Sequence, residues 1–136
     1  MKLLLKFFIT TSLIFSYVLS QAQIPDTQSS LGISYISGGV GEEESKSMLV
    51  EAKQWPLMLE LSQLESGRGI WIFGAAIKIL NTKQKLIFDA QAEGPYILIN
   101  LNAGDYLIEA TYEGVVQKRA IHIKSDEPQM ISIFWK

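Results

Sequence analysis

The hydrophobic positions of this chain fall into one unbroken apolar run followed by a series of short alternating segments. The run lies within residues 1–22: Phe7 to Leu19 is apolar but for Thr10, Thr11, Ser12 and Ser16, behind Lys2 and Lys6 and ahead of Ser20-Gln21-Ala22. A basic start, an apolar stretch shorter than the roughly 20 residues of a spanning helix and a small-x-small triplet together predict a signal peptide cleaved after Ala22. The competing reading is an uncleaved membrane anchor. Residues 23–30, polar with one proline and no periodicity, read as a flexible leader.

From Leu31 the period is two. Leu31, Ile33 and Tyr35 alternate with polar neighbours up to Ser37, and Gly38-Gly39-Val40-Gly41 breaks the strand as a hinge. Glu42-Glu43-Glu44 opens a helix over residues 42–53, because acids in a first turn face the positive end of the dipole. Its apolar side is Met48, Leu49 and Ala52, suited to cover one open end of the sheets. Leu57, Leu59 and Leu61 start a half-buried strand, and Ser66 to Gly69 turns the chain. Ile70 to Leu80 then reads as one central strand carrying Trp71, Phe73, Ala75, Ile77 and Ile79 on a single face. Further strands follow over residues 85–90, 96–101, 106–113, 115–124 and 129–135, divided by Asn81 to Gln84, Gly94-Pro95, Asn102 to Asp105, Gly114 and Ser125 to Pro128. The pattern predicts a mainly β domain over residues 31–136, a single antiparallel sandwich of seven to eight strands with one short helix.

Charge and cysteine content narrow the compartment and the partners. Without Lys2 and Lys6 the chain carries ten basic and 14 acidic side chains, a net charge of −4, which argues against a nucleic-acid partner. No cysteine is present, so no lipid anchor of the lipoprotein type and no disulfide is expected. The mature protein is expected in the periplasm or outside the cell, touching the membrane only during export.

The stretch from Ala75 to Ile123 carries a resemblance. Ala75-Ala76-Ile77-Lys78-Ile79, a polar turn, Glu93-Gly94-Pro95-Tyr96, then Leu101-Asn102-Ala103-Gly104-Asp105-Tyr106 and Glu113-Gly114 before Ile121-x-Ile123 resemble the carboxypeptidase regulatory-like domain. That family is a prealbumin-like, transthyretin-like β-sandwich. Segment Gly38 to Glu44 is similar to small exported proteobacterial proteins that carry it. The resemblance implies a sandwich fold and a binding or scaffolding habit. It does not imply hydrolysis, since the zinc peptidase of the namesake enzymes is a separate domain. Gly104 is expected at positive φ, with Tyr106 capping the core.

Candidate chemistry is sparse. His122 is the one histidine and should lie on the exposed side of its strand, without partners for a metal or a dyad. Glu42, Glu43 and Glu44 would ligate calcium poorly as neighbours on a helix and fit better as a solvated helix start. The segment then reads either as a simple lid over apolar surface or as an acidic edge for a basic partner. The glycine segment lacks the Lys and Ser/Thr of a phosphate loop, and Ser66 lacks the elbow and base of a serine hydrolase. Among the aromatics, Trp71 is in phase with the core, whereas Trp55 before Pro56 and Trp135 near the carboxyl end are the ones expected at the surface. No cofactor is expected. The function class expected is a non-enzymatic module of the cell envelope that meets another protein through edge strands or residues 38–53, or else a small carbohydrate-binding domain using surface aromatics.

Overall fold

A computed structural model describes residues 23–136. The expected signal peptide lies outside the described residues. In chain order the elements are β1 Gln28–Ser30, β2 Ile33–Gly38, α1 Glu42–Glu51 with a 3-10 turn Ala52–Gln54, β3 Leu57–Glu65, β4 Arg68–Trp71, β5 Ala76–Leu80, β6 Leu86–Gln91, β7 Tyr96–Ile99, β8 Gly104–Tyr112, β9 Val115–Ile123 and β10 Gln129–Trp135. They form two sheets. One runs β1-β2-β7-β3-β10 with β4 also pairing β3; the other runs β6-β5-β8-β9. Every pair is antiparallel except β3 with β10, which run parallel with Leu57 opposite Gln129.

The described residues thus hold ten strands, not seven or eight, for two local reasons. Leu31-Gly32, with φ of 48° and 85°, makes a tight turn that folds Gln28–Ser30 back onto β2, so part of the expected leader is a strand. The same residue-then-glycine turn recurs at Ser66-Gly67 and Glu113-Gly114. The expected strand from Ile70 to Leu80 is interrupted at Ile72 to Ala75, where Gly74 takes φ 83° and donates its N–H to Ala92 O at 2.9 Å. The interruption shifts the alternation by one residue, so Ile72 is buried while Trp71 and Phe73 are exposed.

The inner faces of both sheets contribute to one hydrophobic cluster: Leu57, Leu59, Leu61, Ile97 and Ile99 from the larger, Ile77, Ile79, Phe88, Ile108 and Ile121 from the smaller. Each fully buried aliphatic there contributes about 1.5–3 kcal/mol relative to exposure. A second cluster sits on the opposite face of the larger sheet, where Ile36, Met58, Tyr96 and Leu98 are covered by Met48 and Ala52. Helix α1 therefore lies across that outer face and not over an open end. The strand apolar on both sides is β7, all four of whose residues are buried. Of the expected apolar side, Met48 is fully buried and Leu49 is exposed.

The glycine segment is a packing device rather than a hinge. Gly38 and Gly39 are buried. A Cβ on Gly94 would collide with the Gly38 backbone, so the chain crosses here only because Gly94 has no side chain, and a Cβ on Gly38 would instead meet Pro25 and Glu44. Gly104 has φ 151°, and Tyr106 packs against the main cluster while donating its hydroxyl to Asn102 O at 2.8 Å.

Candidate functional site

The three glutamates expected as one acidic edge have three different situations. Glu44 turns back on the glycine segment: its Oε1 accepts the N–H of Gly39 at 2.8 Å and of Val40 at 3.3 Å. It satisfies backbone donors ahead of the helix, as an acid in a first turn is placed to do. Glu42 pairs with Lys46 at 2.8 Å one turn on, and Glu43 is exposed. The acidic edge is reduced to Glu42 and Glu43, because half-buried Glu44 is engaged by the Gly39 and Val40 N–H groups.

The tryptophans also divide. Trp135 is 2% exposed, in contrast to the surface position expected for it. The period-two phase of β10 puts Ile131, Ile133 and Trp135 inward; Trp135 packs edge-on against Tyr112 at 5.8 Å and donates its indole N–H to Val115 O at 2.9 Å. Trp71, expected in the core, is 45% exposed and lies edge-on to Tyr96 at 5.6 Å. Trp55 is half-buried, packed on the second cluster with its indole N–H donated to Glu51 Oε1 at 3.0 Å. That bond fixes the ring plane beside an open cleft of about 470 Å3, lined by Lys53, Asn100, Asn102, Lys124 and Asp126 among others.

His122 is exposed on its strand, and it has a partner: Nδ1 lies 2.6 Å from Asp105 Oδ1 on the facing position of β8. The pair sits on the outer face of the smaller sheet. Neither residue lines the cleft beside Trp55. Among the described residues no group of three His, Cys, Asp or Glu side chains converges as a metal site. The rest of that face is a charge ladder, with Asp89, Lys78, Glu109 and Lys118 occupying successive positions from β6 to β9. Lys118 Nζ lies 3.8 Å from Glu109 Oε1. Alternating charges in register describe a solvated surface with weak mutual attraction.

A further feature lies on the side of the molecule where β9 and β10 come together. Each ends its own sheet, and neither pairs with the other or with any other described strand beyond its one neighbour. Between them is an open groove of about 280 Å3 lined by Val115, Lys118, Arg119, Ile133, Phe134 and Lys136. Val115, Val116 and Phe134 are exposed. Sequence reading missed this surface, since nothing local in Val115 to Lys124 tells that its second neighbour is absent. The one available signal was the pair Lys118-Arg119 in mid-strand, a placement typical of edges.

Among the described residues no helix is long and apolar enough to cross a membrane. No protein-family model matches the chain, and a search of curated proteins finds no match.

Proposed function

We propose that this chain is an exported, prealbumin-like β-sandwich of the carboxypeptidase regulatory-like kind, serving as a non-catalytic binding or scaffolding module in the cell envelope. Two sheets sharing one core, the positive φ of Gly104 and the Tyr106–Asn102 bond support the sandwich reading. The partner in this reading is another protein, and the observation that carries it is the unpaired edge of β9 beside that of β10. An open strand edge offers a row of main-chain donors and acceptors to an incoming segment. Residues 38–53 serve this purpose less well, because Gly38 and Gly39 are buried and Glu44 is engaged within the fold.

A photo-crosslinking side chain placed at Val116, on the β9 edge, and separately at Lys78, in mid-face of the smaller sheet, tests the reading in the native host. A discrete protein adduct from position 116 alone is expected. Equal labelling from both positions, or none from either, overturns it. Export itself is read from the mature amino terminus: mass spectrometry should find Gln23 first, and an intact Met1 contradicts the signal peptide.

A second reading, saccharide binding, keeps one specific support. Trp55 presents a bond-fixed ring to a cleft that Asn100 and Asn102 also line. Binding on a glycan array that disappears with Trp55→Ala favours it over the protein partner.

A further inference from the structure

The hairpin that joins β8 to β9 determines which main-chain groups face the open side. Tyr112 and Val115 flank the two-residue turn and are the first partners of the ladder. In such a hairpin the flanking pair exchanges both its hydrogen bonds, and alternate residues along the strand then point theirs away. Gln117, Arg119, Ile121 and Ile123 are accordingly spent on β8. Val116, Lys118, Ala120 and His122 direct their N–H and C=O groups to the open edge. An independent contact agrees with this phase: the His122 carbonyl is free to accept Gln129 Nε2 at 2.6 Å. The bond from Trp135 to Val115 O uses the second lone pair of a carbonyl at the turn. Three consecutive edge positions, Val116, Lys118 and Ala120, are left with no partner from another described strand.

The side chains around this edge are not symmetric in charge or polarity. Arg119 reaches across to donate to Ser132 O at 3.4 Å, so it lies on the groove side, with Ile133, Phe134 and Lys136. Lys118 starts from the other face, where it neighbours Glu109 in the charge ladder, and also borders the groove. A strand added to β9 would therefore alternate between a mixed groove, where Val115 and Phe134 offer apolar surface beside Gln117, Arg119 and Lys136, and the solvent face of the charge ladder.

Resting on the reading of this chain as a protein-binding module, we infer that the β9 edge takes an extended, acidic segment of a partner protein, paired main chain to main chain, with apolar residues set into the groove. The basic side chains disfavour the simplest rival occupant. Two copies pairing antiparallel through β9 about its midpoint would place Arg119 against Arg119, and like charges directly opposite destabilise a pair. The carboxylates of an acidic strand, on the solvent face, meet Lys118 with the complementary sign. Arg119 and Lys136 at the groove rim add positive charge nearby, in a chain whose overall charge is negative.

The test is titration of the folded protein with an eight-residue peptide of alternating Glu and Val, followed by amide NMR. Shifts centred on Val116, Lys118 and Ala120, weakening with salt, are expected. Methylating alternate peptide amides on one edge should abolish binding while methylating the other edge spares it, an asymmetry that side-chain attraction alone would not produce. Lys118→Glu combined with Arg119→Glu should weaken binding roughly tenfold or more. Ala120→Pro should also block it, with the β8 ladder retained because the lost N–H faces outward; if that variant unfolds, the methylated peptides still decide. Binding indifferent to methylation, preference for a Lys and Val peptide, or a concentration-dependent dimer through β9 overturns the inference. Should no alternating peptide bind while position 116 still crosslinks a host protein, the partner chemistry is wrong and the module reading stands. Should position 116 crosslink nothing, the module reading fails with it.

Discussion

The two sides on which the sheets meet are closed by different chemistry. On the β1/β6 side the Ser30 hydroxyl both donates to Asp89 O at 2.7 Å and accepts from Asp89 N–H at 3.0 Å. One short side chain thus occupies both main-chain groups of an edge residue, much as a neighbouring strand would. Ser37 Oγ takes the Glu93 N–H at 2.7 Å nearby. On the β9/β10 side the crossing bonds run from Trp135, Arg119 and Gln129 to the carbonyls of Val115, Ser132 and His122. Longer side chains reach only acceptors there and take no edge N–H. A side whose donors at Asp89 and Glu93 are already taken has less to offer an incoming strand, whereas one bridged through carbonyls keeps its donors.

The strongest way to break this contrast is to remove the large buried group that holds the open side. Trp135→Ala should cost about 3–5 kcal/mol, since it empties a core site and removes the contact with Tyr112. Urea unfolding that places the loss below about 1 kcal/mol would mean the two edges are held apart by something else. Next in size is Gly94→Ala on the closed side. The new methyl group meets Gly38 backbone that cannot yield like a side chain, and overpacking of this kind costs about 1–3 kcal/mol. A stable variant with unchanged Glu93 and Asp89 amide shifts would show that this crossing is looser than described.

How much of this was legible in the sequence follows the same division between local and distant causes. The β8–β9 hairpin was readable because Glu113-Gly114 lies between two alternating runs, and Ile108, Ala110, Ile121 and Ile123 are buried as their phase requires. Helix α1 was readable from its composition, although its place on the outer face depends on Ile36, Met58 and Leu98 presenting apolar surface there from β2, β3 and β7. Trp71 and Trp135 went the other way for one reason each. A bend anchored by Ala92, distant in sequence, reversed the phase of the first, and a parallel pairing with β3 drew the second under Val115. Of the suspected surface residues, Glu42 and Glu43 are exposed, Glu44 and Trp55 are half-buried with Glu44 engaged by Gly39 and Val40, and Trp135 alone is buried.

A smaller effect sharpens the contrast. Ser30→Ala removes both bonds to Asp89 and should cost about 1–2 kcal/mol, with faster exchange at the Asp89 amide. Arg119→Ala loses one long bond from an exposed side chain, so its cost should stay within about 0.5 kcal/mol. If the two variants prove equally destabilised, the sides are equivalent in strength and the distinction rests on donor occupancy alone.

The last and smallest effect belongs to alkaline pH, and it should act on the closed side. Tyr35 lies on β2 with its hydroxyl donated to Gln28 Oε1 of β1 at 3.1 Å, which helps hold the short outer strand. Burial, and secondarily the carboxylate of Glu93, hold the Tyr35 phenol above its ordinary range. Burial likewise raises Tyr106, and burial followed by Glu60 raises Tyr96. A phenol whose pKa is higher folded than unfolded contributes stability that is intact below the unfolded value of about 10 and is lost as pH climbs through the folded value. Stability should therefore be insensitive to these groups at neutral pH and decline above about pH 10. Tyr35→Phe keeps the ring against Phe88, deletes the bond to Gln28 and removes one of the three titrations. Its neutral stability should fall by no more than about 1 kcal/mol, and its alkaline decline should be shallower than that of the parent. Denaturation midpoints measured between neutral pH and pH 11 decide the point. Parallel pH profiles for the two proteins would show that Tyr35 ionises without disturbing β1, and that the closed side is held by the Ser30 and Ser37 bonds without it.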